Sequence, residues 1–341
     1  MSTPPSLRLN RARIALVQLG QTSSDKSFNL SHARRSILES VSSNAPGGKV
    51  DMVILPECFN SPYGVQYFAD YAESFGGLWN RVKRPLPAAL PRMSKGKELV
   101  RWTVDNEYGQ DGQPSNAIQL DENTLRMSPS LKMLSEAAKE AGVVLVGGSV
   151  PERDDLTNNL YNTSCVFDEQ GRIISMHRKV HLFDIDIPGK MTFQESLTLT
   201  GGDRVTVFDC SVGRFGLGIC YDLRFPEPAQ IASRLGAGCM IYPGAFNTTT
   251  GPLAWELLQR SRATDNQLYV VGCSPARPKE GYPAWGHSTV VDPLAKVISN
   301  CQEEECTIFA ELDPEYVREV RKNIPIGTQR RFDVYPDVTC G

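Results

Sequence analysis

The sequence predicts an α/β protein, a four-layer α-β-β-α sandwich in which two mixed sheets lie between layers of helices. Short segments rich in β-branched residues alternate with helical segments along the chain. Two pairs of predicted strands are joined by short turns, as in hairpins, whereas a doubly wound sheet joins parallel strands by crossovers. The first strand also lacks the GxGxxG loop of dinucleotide-binding folds, which disfavours a nucleotide-dependent oxidoreductase.

The N-terminal half of the chain predicts strands separated by helices. ARIALVQL (residues 12–19) and VDMVILPE (50–57) are short apolar strands, with a helix between them from about Asn29 to Val41. SPSLKMLSEAAKEAG begins with serine and ends with glycine, which are typical helix caps. A single buried strand, VVLVGGSV, follows, and then a hairpin around the turn DEQG.

The C-terminal half repeats the hairpin pattern and then returns to alternation. RVTVFDCSVGRFGLGICYD (204–222) is the second hairpin. The remaining predicted elements are the helix EPAQIASRLGA, the strand CMIYPGAF, the helix PLAWELLQRSRATDN, the strand QLYVVGCSPA, strands within GHSTVVDPLAKVISN and CTIFAEL, and the helix DPEYVREVRKNI. Together these elements complete the predicted sheets and their helix layers.

Residues of about 75–126 interrupt the alternation of predicted strands and helices. The segment is rich in glycine, proline and charged residues, which is typical of a surface loop rather than of a packed strand or helix. We expect it to be an insertion in a single domain that spans residues 10–335. It follows the strand that ends at Glu57, so it is either a lid that borders a pocket or a decoration without a catalytic residue.

Composition and charge exclude several classes of function. A net charge of −3 gives no electrostatic basis for binding nucleic acid or an anionic membrane. No apolar run approaches the roughly 20 residues of a membrane span, and the N-terminus lacks the apolar core of a secretory signal. Nine cysteines without metal-like spacing indicate reduced thiols in the cytoplasm, with mitochondria as the alternative. No metal or cofactor is predicted, and His177 and His181 are not expected to bind zinc.

Three polar residues lie where apolar strands end, which is where α/β proteins commonly build their sites. These residues are Glu57, Lys179 and Cys220. Each has a structural alternative: a surface or capping acid, a solvated lysine, and a small buried hydrophobe. As a set they fit nucleophilic catalysis by cysteine. The thiol needs a base that takes its proton, and a cation can offset the negative charge that develops during the attack. No histidine is convincingly placed as the base, and His287 is better explained as a core residue.

The motifs LPECF, HRKVHLFD and GLGICYDLRFPE resemble, in this order, the three signatures of the nitrilase or carbon–nitrogen hydrolase superfamily. The resemblance covers about residues 10–335 apart from 75–126. Within the superfamily, the segments NSPYG, HLFDIDIPGKMTFQES, GAFNTTTGP and AWGHSTVVDP are similar to the omega-amidase branch. The resemblance implies the four-layer fold, an amide substrate hydrolysed with water, no cofactor, and a homodimer.

The resemblance also implies catalytic roles for particular residues. Cys220 would be the nucleophile, and Glu57 would be the general base and then the acid. Lys179 would stabilise the oxyanion together with the backbone N–H of Tyr221. Glu195 in FQES would orient the lysine or help to position the attacking group.

Branch-specific substrate contacts are implied at Tyr63, Arg224, Phe246 and Thr250. Arg224 would hold the distal carboxylate of a short dicarboxylic monoamide, such as α-ketoglutaramate or α-ketosuccinamate. The structural alternative is an ion pair of Arg224 with Asp222 or Glu227. Rival functions are an amidase for deaminated glutathione, a nitrile hydrolase, and a catalytically idle scaffold that binds partners.

Overall fold

The computed structural model of the protein describes residues 6–43, 46–82, 104–108, 114–189 and 191–337. Within these residues the strands are β1 Ala12–Gln18, β2 Met52–Ile54, β3 Glu73–Ser74, β4 Val104–Asp105, β5 Val144–Val146, β6 Val150–Arg153, β7 Leu160–Phe167, β8 Ile173–Arg178, β9 Asp184–Ile187, β10 Met191–Gln194, β11 Thr206–Cys210, β12 Gly213–Leu217, β13 Cys239–Pro243, β14 Tyr269–Cys273, β15 Thr289–Val291, β16 Val297–Asn300 and β17 Cys306–Leu312.

The helices are α1 Lys26–Ser40, α2 Val65–Tyr71, α3 Leu78–Arg81, α4 Glu122–Met127, α5 Pro129–Ala141, α6 Glu227–Arg234, α7 Gly251–Asn266 and α8 Pro314–Asn323. Two 3₁₀ helices, Glu195–Leu197 and Cys220–Arg224, begin at residues that the sequence singles out. In the part of the chain that the structure describes, no helix combines the length and the apolar character that crossing a membrane requires.

Two mixed sheets form the centre of the molecule. The first has the strand order β17-β1-β2-β5-β7-β6-β3, with β8 paired to β7, and the second has the order β16-β15-β14-β13-β12-β11-β4. β1, β2 and β5 run parallel, as do β12, β13 and β14. The predicted hairpins are confirmed as the antiparallel pairs β7–β8 and β11–β12.

Alternate side chains of a strand enter two different cores, as the pleat requires. In β1, Ile14 and Leu16 belong to a core between the sheets, whereas Ala15 and Val17 belong to a core with α1 and α5. A third core joins the outer face of the second sheet to α6 and α7 through residues such as Met240 and Trp255. The sheets therefore pack face to face with helices outside each, which confirms the α-β-β-α sandwich.

The structure differs from the predicted elements in three places. α1 begins at Lys26, because Asp25 caps it by accepting backbone hydrogen bonds, and not at Asn29. The strand predicted in VVLVGGSV ends at Val146 as β5, and its last residue, Val150, begins a separate strand, β6. Gly148 separates them with φ +58°, and a Cβ atom there would lie 2.1 Å from the carbonyl oxygen of Pro56. The hairpin β9–β10 was not predicted, since DIDIPGKMTFQ is short and largely exposed.

Parts of the segment 75–126 take regular structure. β4 pairs in parallel with β11 and extends the second sheet at its edge, and α3 and most of α4 also fall in the segment. Residues 83–103 and 109–113 lie outside the described part of the chain. That the segment is an insertion in a single domain of residues 10–335 stays a prediction.

We expect a leucine in the core between the sheets to contribute more to the free energy of unfolding than a leucine on the surface. Leu16 is fully buried there, whereas Leu156 is 80% exposed. Leu16→Ala should lower the free energy of unfolding by about 2–5 kcal/mol, because it leaves a cavity between the sheets. Leu156→Ala should change it by less than about 0.5 kcal/mol. Urea unfolding followed by circular dichroism measures both, and equal losses would contradict the packing described.

Candidate active site

Four polar side chains from separate segments meet where strands of the two sheets end. Glu57 follows β2, Lys179 follows β8 directly, and Cys220 and Glu195 begin the two 3₁₀ helices. All four are buried, with 2% of Glu57 and none of Lys179 exposed to solvent. The alternatives of a surface acid and a solvated lysine are therefore wrong.

Lys179 lies between two carboxylates. Its Nζ is 3.1 Å from Glu57 Oε1 and 2.9 Å from the Glu195 carboxylate. Glu57 Oε1 also accepts a hydrogen bond from Asn162 Nδ2 at 2.9 Å, and its Oε2 accepts one from the N–H of Ala245 at 2.9 Å. A lysine fully removed from water loses several kcal/mol of hydration free energy, which only such close opposite charges offset.

Glu195 is held by two further donors. Its Oε2 accepts a hydrogen bond from the N–H of Phe183 at 2.8 Å, and its Oε1 accepts one from the Tyr63 hydroxyl at 3.1 Å. The ring of Tyr63 packs against that of Tyr282, with the ring centroids 4.3 Å apart. Glu195 therefore has a fixed orientation and in turn fixes the direction in which Lys179 points.

Cys220 occupies a strained backbone position beside Glu57. Its φ of +47° lies in the left-handed region, which costs a residue with a side chain about 1–3 kcal/mol. The chain also passes close by, because a Cβ atom at Gly244 would lie 3.1 Å from the Cys220 Cα. The Glu57 carboxylate lies close enough to the thiol for each group to shift the pKa of the other. Among the described residues, no backbone carbonyl accepts the N–H of Tyr221.

Burial and charge shift the acidity of the cluster. Burial raises the pKa of Glu57; Lys179 opposes this shift, and Glu195 adds to it. Burial also raises the pKa of the Cys220 thiol, and the negative charge of Glu57 raises it further. Burial alone would lower the pKa of Lys179, but Glu195 and Glu57 outweigh it, so the lysine stays charged. The cluster thus pairs a neutral thiol with a carboxylate that accepts protons more readily than an exposed one.

A small pocket beside Cys220 brings together four of the residues predicted to contact substrate. It is lined by Phe183, Cys220, Tyr221, Arg224, Ala245, Phe246, Thr250 and Tyr282. The fifth predicted contact, Tyr63, lines a neighbouring pocket with Glu57. Tyr282 lines both pockets, so the two adjoin at this residue.

Arg224 contacts aromatic rings in this pocket. Its guanidinium carbon lies 5.0 Å from the centroid of Phe246 and 5.5 Å from that of Tyr221. Among the described residues, no carboxylate forms an ion pair with it. The alternative of an ion pair with Asp222 or Glu227 is therefore wrong, and the pocket is lined by a cation without an anionic partner among the described residues.

Several residues of the site have no strong signal in the sequence. Asn162, which donates to Glu57, is a buried asparagine within the strand LYNTSCVF, and this isolated amide was an available signal. Tyr282 lies in a loop rich in glycine and proline, where no pattern singles it out. Asp222 accepts hydrogen bonds from His177 and His181, which explains the histidine pair without zinc.

We expect Lys179 to be required for stability because it neutralises two buried carboxylates. Lys179→Met should lower the free energy of unfolding by about 3–5 kcal/mol, since it leaves Glu57 and Glu195 without a cation. Arg11→Met, which breaks the exposed pair with Asp313, should cost at most about 1 kcal/mol. Denaturant titration compares the two variants, and a loss at Lys179 as small as that at Arg11 would contradict this account.

Comparisons with known proteins agree with this geometry. The carbon–nitrogen hydrolase family model matches residues 13–322. Omega-amidase NIT3 of Saccharomyces cerevisiae is 44% identical over 97% of each chain, and omega-amidase NIT2 of Homo sapiens is 44% identical over 95% of this chain and 96% of its own. The crystal structure of S. cerevisiae Nit3, a member of branch 10 of the nitrilase superfamily, is 40% identical and superposes with a TM-score of 0.75 over 97% of this chain and 100% of that one. The chain belongs to the carbon–nitrogen hydrolase family of the nitrilase superfamily.

Proposed function

We propose that the protein is an omega-amidase, which hydrolyses the terminal amide of short dicarboxylic monoamides and releases ammonia. The observation that carries this proposal is the buried cluster of Cys220, Glu57, Lys179 and Glu195 beside a pocket that holds Arg224. The full-length similarity to proteins named omega-amidases supports the same activity.

In the first half of the reaction, the Cys220 thiol attacks the carbonyl carbon of the amide. Glu57 accepts the thiol proton, because the two groups lie side by side in the buried cluster. The oxygen that becomes negative receives hydrogen bonds from Lys179 Nζ and from the N–H of Tyr221. Glu57 then gives its proton to the amide nitrogen, the C–N bond breaks, and ammonia leaves. The product is an acyl thioester on Cys220.

In the second half, water hydrolyses the thioester. Glu57 accepts a proton from the water, whose oxygen attacks the thioester carbon. Lys179 and the Tyr221 N–H again stabilise the oxyanion, the C–S bond breaks, and Glu57 returns the proton to the thiolate. A base whose pKa lies above the ordinary carboxyl range suits both transfers near neutral pH, and burial raises the pKa of Glu57 in this direction.

Arg224 gives the proposal its substrate class. A guanidinium binds a carboxylate through two parallel hydrogen bonds, and Arg224 has no described carboxylate partner of its own. Phe246 and Tyr221 pack beside it, and Thr250 completes the pocket. These contacts fit a short acyl chain that ends in a carboxylate, as in α-ketoglutaramate or α-ketosuccinamate.

The proposal includes a homodimer in the cytoplasm. Leu253 and Leu257 lie one turn apart on α7 and are 73% and 63% exposed, so this helix presents an apolar stripe that a second copy would cover. The eight cysteines among the described residues are all free thiols, which supports a reducing compartment.

The mechanism predicts that Cys220 is essential. Cys220→Ala should lower ammonia release from α-ketoglutaramate by at least about 10³-fold, because no other group can form the thioester. Cys306→Ala, at a half-buried cysteine of β17, should retain activity. A coupled ammonia assay measures release, and mass spectrometry detects the acyl adduct. Activity that survives in Cys220→Ala would refute the thioester mechanism.

The substrate assignment predicts a selective effect at Arg224. Arg224→Ala should lower kcat/KM for a dicarboxylic monoamide by about 10–100-fold, which corresponds to the loss of a charge-assisted hydrogen-bonded pair. It should affect a neutral amide of the same length much less, and Arg331→Ala, which removes an exposed pair with Asp333, should affect neither. Equal losses on both amides would assign Arg224 a structural role. Faster hydrolysis of deaminated glutathione by the wild-type protein would point to that amidase instead.

A further inference from the structure

The carboxylate of Asp222 joins the segment that carries Lys179 to the segment that carries Cys220. Its Oδ2 accepts hydrogen bonds from His177 Nε2 and from the N–H of Ile219, both at 2.9 Å. Its Oδ1 accepts them from His181 Nδ1 at 2.7 Å and from the N–H of His181 at 2.9 Å. Asp222 is 1% exposed, so these four bonds replace the water that the carboxylate lost.

Each bond fixes a neighbour of a reacting residue. Ile219 directly precedes Cys220, so the bond to its N–H braces the turn in which Cys220 adopts φ +47°. His177 and His181 lie two residues before and after Lys179, so Asp222 holds the side chain of one neighbour and the backbone of the other. One carboxylate therefore links the positions of the nucleophile and the lysine.

The linkage extends into the surrounding structure. His177 Nδ1 lies 2.9 Å from Thr206 Oγ1, which joins β8 of the first sheet to β11 of the second. The ring of His181 stacks on that of Phe225, with the centroids 3.6 Å apart and the planes 10° from parallel. Because its donors are held in this way, Asp222 has little freedom to move. It can therefore hold the segments of Lys179 and Cys220 at a fixed separation.

We propose that Asp222 is a positioning residue for the hydrolysis: it sets the distance between Cys220 Sγ and Lys179 Nζ around the reacting carbonyl group. It touches neither the substrate nor the reacting atoms, and it acts through Ile219, His177 and His181. The inference rests on the proposed function, in which the thiol attacks while the lysine stabilises the oxyanion. A displacement of about 1 Å between such groups can lower a rate by about 10²-fold.

Asp222→Asn tests the inference because it keeps the shape of the side chain. In either orientation, its amide NH₂ replaces one oxygen, so one backbone N–H loses its acceptor and the neighbouring imidazole keeps a bond only by changing tautomer. We expect the rate constant for acylation of Cys220 to fall by about 10²-fold. KM should change little, because Arg224 and Phe246 are not among the groups that Asp222 contacts. Alkylation of Cys220 by iodoacetamide, which needs no substrate, should also slow.

Asp168→Asn is the matched control. Asp168 is equally buried, and its Oδ1 accepts backbone hydrogen bonds from Gln170 at 3.0 Å and from Arg172 at 2.8 Å, within the β7–β8 turn. This variant should lower the melting temperature as Asp222→Asn does, with acylation and alkylation unchanged. If Asp222→Asn does not fold, His181→Phe keeps the stacking on Phe225, removes one of the four bonds, and should cause a smaller loss in the same direction.

The outcomes separate this inference from the proposed function. Slower acylation and alkylation in Asp222→Asn, with neither changed in Asp168→Asn, would support the positioning role. Unchanged rates at Asp222, or equal losses in both variants, would overturn it. A wild-type protein that is alkylated at Cys220 but releases no ammonia would refute the proposed function, and the alkylation rates of the variants would still decide the role of Asp222.

Discussion

The buried charge cluster around Lys179 is the constraint on which the rest of the site depends. A fully buried ammonium group is tolerable only where anions surround it, and here Glu57 and Glu195 do so at hydrogen-bonding distance. The two carboxylates need further donors of their own, which Asn162, Ala245 and other residues provide. One buried cation thus determines the orientation of several segments.

This requirement explains why the site draws on strand ends from both sheets. Glu57 follows a strand of the first sheet, whereas Cys220 and Ala245 follow strands of the second. The packed core between the sheets holds these strand ends at a fixed separation, and its lack of water strengthens every electrostatic interaction near it. Stability of the sandwich and geometry of the site are therefore consequences of the same packing.

The sequence predicted the parts of the protein that depend on local patterns. Alternating burial in β1 and the turns of the two hairpins are visible in single segments, and Glu57, Lys179 and Cys220 stand out because each ends an apolar strand. Contacts between distant segments have no such signal. Gly148 splits a predicted strand because the carbonyl of Pro56 approaches it, and Tyr282 reaches the site from an irregular loop. These features depend on how the segments pack against one another.

The cluster has a consequence for the direction of the proposed reaction. Two carboxylates and one ammonium group leave one excess negative charge around Cys220. The amide that enters is neutral at its reacting end, but the acid that forms there becomes an anion beside Glu57 and Glu195. Like charges at this distance in a buried site repel strongly. The new carboxylate of the product is therefore repelled from the cluster, although Arg224 still attracts the carboxylate at the other end. We expect product inhibition to be weak for this reason.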